Sequence, residues 1–275
     1  MSESGGRINW IGDDQAELDG TRYVCRPIAL GRIPSDADRL CICKTQADMR
    51  NLEALVERLS PRRIVEVGIF DGASTALLWQ LARPSRLTAI EIAESMPGAL
   101  AAFIAKHDRD GVISTHLGVD QSNRERLRQI VAADFGAEPL DLVIDDASHF
   151  LDETRASFEA LFPLLRTGGE FLLEDWAWAH APIEVWPNRA PLSLLVFEIT
   201  IAAAHHPELV ETLTVADGWT IVRRGPAAIA PEDFNLRALI GPRGRDIMDL
   251  CGNGNAIEPR RRSLRRRLRL DGRRR

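Results

Sequence analysis

The sequence predicts an α/β fold, a Rossmann-like doubly wound sheet of mostly parallel strands that closes on a C-terminal antiparallel hairpin. Three observations predict it. Residues 61–79, P-R-R-I-V-E-V-G-I-F-D-G-A-S-T-A-L-L-W, pass from a short apolar run through a glycine turn into an apolar segment of helical length. Short β-rich runs then alternate with helical patterns up to about residue 175, the form taken by parallel strands joined through crossover helices. Finally, Asp217-Gly218 separates L-V-E-T-L-T-V from W-T-I-V-R, and Asp-Gly between two β runs signals a hairpin.

In chain order, residues 1–20 are polar and without period. T-R-Y-V-C and L-C-I-C, between Thr21 and Lys44, read as two strands that could lie over a pocket. Cys41 and Cys43 fall on one face of the second, and buried reduced thiols are favoured over a zinc site because no C-x-x-C pair exists. Thr45 and Asp48 stand at capping-box spacing before Met49, Leu52, Leu55, Val56 and Leu59, an amphipathic helix stopped by Pro61. After the glycine turn and its helix, L-T-A-I-E-I is a buried strand ending near Glu91, and a helix over 99–106 follows. V-I-S-T-H-L leads into Asp120 and Gln121, with Ser122 and Glu125 as a second capping box. L-D-L-V-I exits into D-D-A-S-H, a helix over 151–165 is ended by T-G-G, and E-F-L-L delivers Glu174 and Asp175. A helical apolar segment at 192–204 precedes the hairpin. It carries Glu198 and is too short to cross a bilayer, and no basic-then-apolar leader is evident, so a cytoplasmic protein is expected.

Net charge divides the chain. Residues 260–275 hold ten arginines and one acid, a charge of +9, leaving −14 on the rest from the total of −5. An acidic body disfavours a nucleic-acid partner, the basic tail leaves one open, and the tail reads as a disordered terminus. The divisions expected are an N-terminal extension and candidate lid at 1–44, a main domain at 45–225, a C-terminal extension at 226–259 and the tail at 260–275. A homo-oligomer is compatible with them.

The glycine turn points to a ligand. Gly68 and Gly72 let the backbone approach one closely, and their G-x-x-x-G spacing lacks the third glycine of a pyrophosphate loop. The flanking acids Glu66 and Asp71 repel phosphate and suit a cationic, hydroxyl-bearing ligand such as S-adenosylmethionine. Glu91 occupies the strand end that accepts ribose hydroxyls in doubly wound folds. Asp120 and Gln121, at the next carboxyl end, are placed to meet adenine or its ribose. Asp146, Glu174 and Asp175 gather at the ends of neighbouring strands, about 5 Å apart, where three carboxylates form a hard-oxygen set for Mg²⁺. His149 follows three residues after Asp146, and its imidazole could take a proton from an acceptor hydroxyl. Trp176, Trp178 and Trp186 follow, able either to stack on sugar faces or to pack in the core.

The series E-V-G-I-F-D-G-A-S, A-I-E-I, G-V-D-Q-S, I-D-D-A-S-H, L-F-P-L-L-R-T-G-G and L-L-E-D-W resembles the Mg²⁺-dependent sugar O-methyltransferases of macrolide biosynthesis and the related cephalosporin-hydroxylase-like and rhamnosyl O-methyltransferase group. The turn D-D-A-S-H departs mildly from that pattern, in which a glycine often precedes the serine. The resemblance covers about residues 44–224. It implies a class I methyltransferase fold and S-adenosylmethionine contacts from Glu66, Gly68, Gly72, Glu91, Asp120 and Gln121, to which Asp145 is added. It also implies metal ligation by Asp146, Glu174 and Asp175, with His149 as general base and a sugar or glycosylated small molecule as acceptor. The alternatives are a catechol-type O-methyltransferase, or a non-catalytic ligand- or nucleic-acid-binding protein.

Overall fold

A computed structural model describes residues 6–252 except 28, 29, 32, 37, 181–188 and 217. Its main sheet has seven strands: β5 (Arg63–Val67), β6 (Arg86–Ile90), β7 (Ile113–His116), β8 (Leu140–Asp145), β9 (Leu165–Glu174), β10 (Val210–Val215) and β11 (Trp219–Arg224), in the order β10-β11-β9-β8-β5-β6-β7. β5 through β9 pair in parallel, and β11 pairs antiparallel with both β9 and β10. The expected doubly wound sheet and terminal hairpin are therefore present. Because β5 has β6 on one side and β8 on the other, chain crossovers leave it in opposite directions, which opens a crevice at the carboxyl ends.

Alternation along the buried strands divides the core between the two faces of this sheet. Val65, Val67, Val143, Phe171 and Leu173 pack with helices α4 (Arg124–Phe135), α5 (Leu151–Leu161) and α6 (Ser193–His205). Ile64, Leu142, Ile144 and Leu172 pack with α1 (Gln46–Leu59) and α2 (Ala73–Ala82). The first of these helices carries the expected capping box, with the Thr45 side chain accepting from Asp48 N and the Asp48 side chain accepting from Thr45 N. Such a cap stabilises a helix by about 1 kcal/mol.

The N-terminal segment forms a separate four-stranded sheet of β1 (Asn9–Trp10), β2 (Gln15–Leu18), β3 (Thr21–Cys25) and β4 (Arg39–Ile42). Its first three strands form an antiparallel meander and β4 lies parallel to β3. It has no core of its own: Ala16, Leu18, Tyr23, Leu40 and Ile42 join the cluster around α1 and α2. The buried Tyr23 hydroxyl donates to Gln80 Oε1 of α2 at 2.6 Å, so the attachment is polar as well as apolar.

Local details differ from the sequence reading. T-G-G does not stop a helix. A short 3₁₀ turn at Phe162–Leu164 follows α5, and β9 spans Leu165–Glu174 with an irregularity at Gly168, φ +72°, where its register against β8 shifts. Gly169 lies tight against the backbone carbonyls of Asp141 and Leu140, so close strand approach explains that glycine. α4 is capped by Asn123, which accepts from Arg126 N, rather than by Ser122. β4 ends at Ile42, so Cys41 is buried while Cys43 is exposed, and the two thiols do not share a face. The arginine tail lies outside the described residues, as does Trp186.

Candidate active site

A cleft of about 1070 Å³ opens where β5, β6, β8 and β9 end. Gly68, Glu91, Asp120, Gln121, Asp146, His149, Glu174 and Asp175 line it, so most of the residues singled out from sequence converge there. Backbone strain also concentrates at its wall. Of six non-glycine residues with positive φ among the described residues, Phe70, His149 and Asp175 line the cleft, and conformations of this kind persist where surrounding structure enforces them.

One end is built on the glycine loop. Gly68 has φ +98°, and a Cβ there would collide with the Asp146 backbone, so the loop following β5 can lie against the turn following β8 only with glycine. Gly72 serves packing instead, since a Cβ there would strike Leu100 of helix α3 (Gly98–His107). Glu91 Oε2 accepts from Ile69 N at 2.8 Å and Phe70 N at 2.9 Å, and Oε1 accepts from Ala93 N at 3.0 Å. Its carboxylate thus fixes the loop from within the cleft. Asp120 is exposed at the rim, with Oδ1 accepting from Ser122 N.

Three predicted acids sit elsewhere. Glu66 is buried behind the loop and accepts from the Thr75 hydroxyl at 2.5 Å. Burial raises its pKa to about 7 against the pull of the Ser74 and Thr75 side chains. Asp71 accepts from Ser35 N at 2.8 Å, tying the glycine loop to the N-terminal segment. Asp145 is buried and accepts from Gln121 Nε2 at 2.9 Å and from the Ser157 hydroxyl. Its pKa is pushed to about 7, again chiefly by burial. Gln121 also accepts from Ser148 N at 3.1 Å, so its amide braces the D-D-A-S-H turn from both sides.

At the other end, His149 Nε2 lies 3.9 Å from Asp146 Oδ1 and 3.9 Å from Asp175 Oδ2. Trp178 packs edge-on against the imidazole, with ring centroids 5.1 Å apart. Trp176 instead donates its indole N–H to Ala216 O at 2.9 Å. Donor atoms of Asp146, His149 and Asp175 all fall within 4.8 Å of one another.

Glu174 is engaged by a residue that the sequence reading missed. Lys44, at the junction of β4 and α1, sends its ammonium 2.9 Å from Asp146 Oδ2 and onto Glu174 Oε2. The two carboxylates more than offset the desolvation of Lys44 and raise its pKa above the ordinary lysine value. Burial and the neighbouring Asp146 push Glu174 up to about 8, despite Lys44. Nothing in the local sequence signals this lysine, because its partners lie 102 and 130 positions away.

Asp146, Glu174 and Asp175 bring three carboxyl groups to this end of the cleft, and Lys44 pairs with two of them. These oxygen donors fit a hard divalent cation.

Residues 65–176 match the family model described as a methyltransferase domain. Stretches of the chain are similar to curated O-methyltransferases. Demethylmacrocin O-methyltransferase of Streptomyces fradiae is 37% identical over 117 residues, covering 41% of this chain and 29% of the relative. Mycinamicin VI 2''-O-methyltransferase of Micromonospora griseorubida is 46% identical over 63 residues, 23% of this chain and 15% of the relative. Each match spans less than a third of the relative's own length. Among solved structures, the O-methyltransferase TomG of Streptomyces achromogenes, involved in tomaymycin synthesis and solved with SAM, superposes with a TM-score of 0.50. It is 21% identical and the match covers 66% of this chain and 81% of that one. Among the described residues, no helix is long and apolar enough to cross a membrane.

Proposed function

We propose that this chain transfers a methyl group from S-adenosylmethionine to a hydroxyl of a sugar or glycosylated small molecule, assisted by Mg²⁺. The observation that carries this reading is the placement of His149 beside Asp146 and Asp175 at one end of a cleft whose other end is the glycine loop with Glu91. Three curated relatives support the acceptor class, since their names describe O-methylation of an L-olivosyl or a rhamnosyl compound.

In this reading Gly68 gives the cofactor close access to the loop backbone, while Glu91 and Asp120 receive the ribose hydroxyls. Gln121 and Asp145 act by holding the D-D-A-S-H turn in place, and Glu66 by fixing the loop from behind. Asp146, Asp175 and Glu174 would hold Mg²⁺, which when bound orients the acceptor and acidifies its hydroxyl. His149 accepts that hydroxyl's proton on Nε2. The acceptor oxygen then forms a bond to the methyl carbon as the carbon–sulfur bond breaks, its electron pair stays on sulfur, and S-adenosylhomocysteine leaves. Trp178 keeps the imidazole oriented toward the two aspartates.

Transfer of labelled methyl from S-adenosylmethionine to a panel of glycosides, with and without EDTA, tests the reading. The expected result is labelled ether product that EDTA suppresses. In His149→Ala, cofactor affinity should stay nearly intact while turnover falls by about two to four orders of magnitude, the scale of a lost general base. Undiminished turnover in that variant would remove His149 from the mechanism.

A further inference from the structure

Lys44 occupies the place where the proposed ion would find two of its ligands. Its side chain is 8% exposed, and its ammonium bonds one oxygen of Asp146 and one of Glu174. An ammonium and a divalent ion cannot both sit on this carboxylate pair at close range, because like charges repel strongly where water is scarce. The backbone at Lys44 is pinned on both sides, by β4 ending at Ile42 and by the Thr45 capping box. Exchange therefore falls to the flexible four-carbon side chain. That side chain has room to leave: Lys44 lines the main cleft and also a second cavity of about 40 Å³ bounded by Cys41, Asp71 and Ser74.

We propose that Lys44 is an internal competitor of the divalent cation, so that ammonium and ion hold the Asp146–Glu174 pair in alternation. The inference rests on the metal role given to these carboxylates above. Without the ion, Lys44 keeps two buried acids paired and the carboxyl ends of β8 and β9 in register. When the ion binds, the ammonium swings into the cleft. Because the displaced contacts must be broken first, the lysine sets the ion's affinity below that of the same three carboxylates alone. It also couples metal occupancy to the N-terminal segment.

Mn²⁺ is the probe, since it favours the same octahedral oxygen coordination as Mg²⁺ and its free form is read directly by electron paramagnetic resonance. It is titrated into the full chain as wild type, Lys44→Met and Lys44→Gln, with S-adenosylhomocysteine binding as the control for folding. Lys44→Gln retains amide donors for the two carboxylates, so it decides the matter if the methionine variant does not fold. Both variants should bind Mn²⁺ about tenfold more tightly than wild type, within the usual range of a coupling between two sites. Mn²⁺ should also raise their melting temperatures further than it raises that of wild type. Equal or weaker binding by the variants, with wild type still binding, would overturn the competitor role and leave the metal site standing. No binding by any of the three would remove the metal reading together with this one.

Discussion

Buried acids set much of the pH behaviour at the residue scale. Glu66 takes a pKa of about 7 in the folded chain against 4.5 as its ordinary value, the main cause being burial. The folded state therefore binds more protons than the unfolded state between these values, and stability falls as pH rises through that window. Asp145, raised to about 7 at the other side of the loop, acts in the same direction. Glu66→Gln removes one such acid while keeping an acceptor for Thr75. The denaturation midpoint of the variant should fall less steeply than that of wild type between pH 5 and pH 7, measured by urea unfolding across that range. An unchanged slope would show that Glu66 is not the group responsible. The acids most visible in the sequence proved to have divided work: Glu91, Asp120, Asp146, Glu174 and Asp175 line the cleft, whereas Glu66, Asp71 and Asp145 hold its walls. Residue type and spacing place an acid at a strand end, but the direction of its side chain depends on donors such as Thr75 and Ser35 that come from other elements.

At the element scale, the strand, glycine turn and helix at 63–82 were legible because glycine spacing and apolar runs are local properties. The same holds for the hairpin, whose strands match the predicted runs to within a residue. T-G-G misled because glycines that permit close strand packing look identical in sequence to glycines that end a helix. The four-stranded N-terminal sheet was legible only as two strands, since β1 and β2 are short and their pairing partners are fixed by packing on α1 and α2. The loop following β5 provides the sharpest test of element geometry. Gly68→Ala puts a Cβ at φ +98° against the Asp146 backbone, which should destabilise the chain by about 1–3 kcal/mol. Because that strain is passed directly to the D-D-A-S-H turn, ligand affinity in the cleft should fall as well. Wild-type stability by chemical denaturation together with wild-type affinity would contradict the role given to this glycine.

On the scale of the whole molecule, the sheet order brings four carboxyl strand ends to one crevice, and the N-terminal segment closes onto it through Asp71 and Lys44. The acidic cluster was readable because its members lie on successive strands of one predicted sheet. Lys44 was not, since its meeting with Asp146 and Glu174 exists only after the two sheets pack together. The central claim is that this crevice binds S-adenosylmethionine beside an acidic catalytic end. Calorimetric titration of S-adenosylmethionine and S-adenosylhomocysteine into the purified chain, repeated with Glu91→Ala and with EDTA, tests it most directly. Both ligands should bind, Glu91→Ala should weaken that binding and EDTA should leave it untouched, the ion acting on the acceptor alone. Failure of the wild-type chain to bind either ligand would contradict it and reduce the glycine loop to a structural turn.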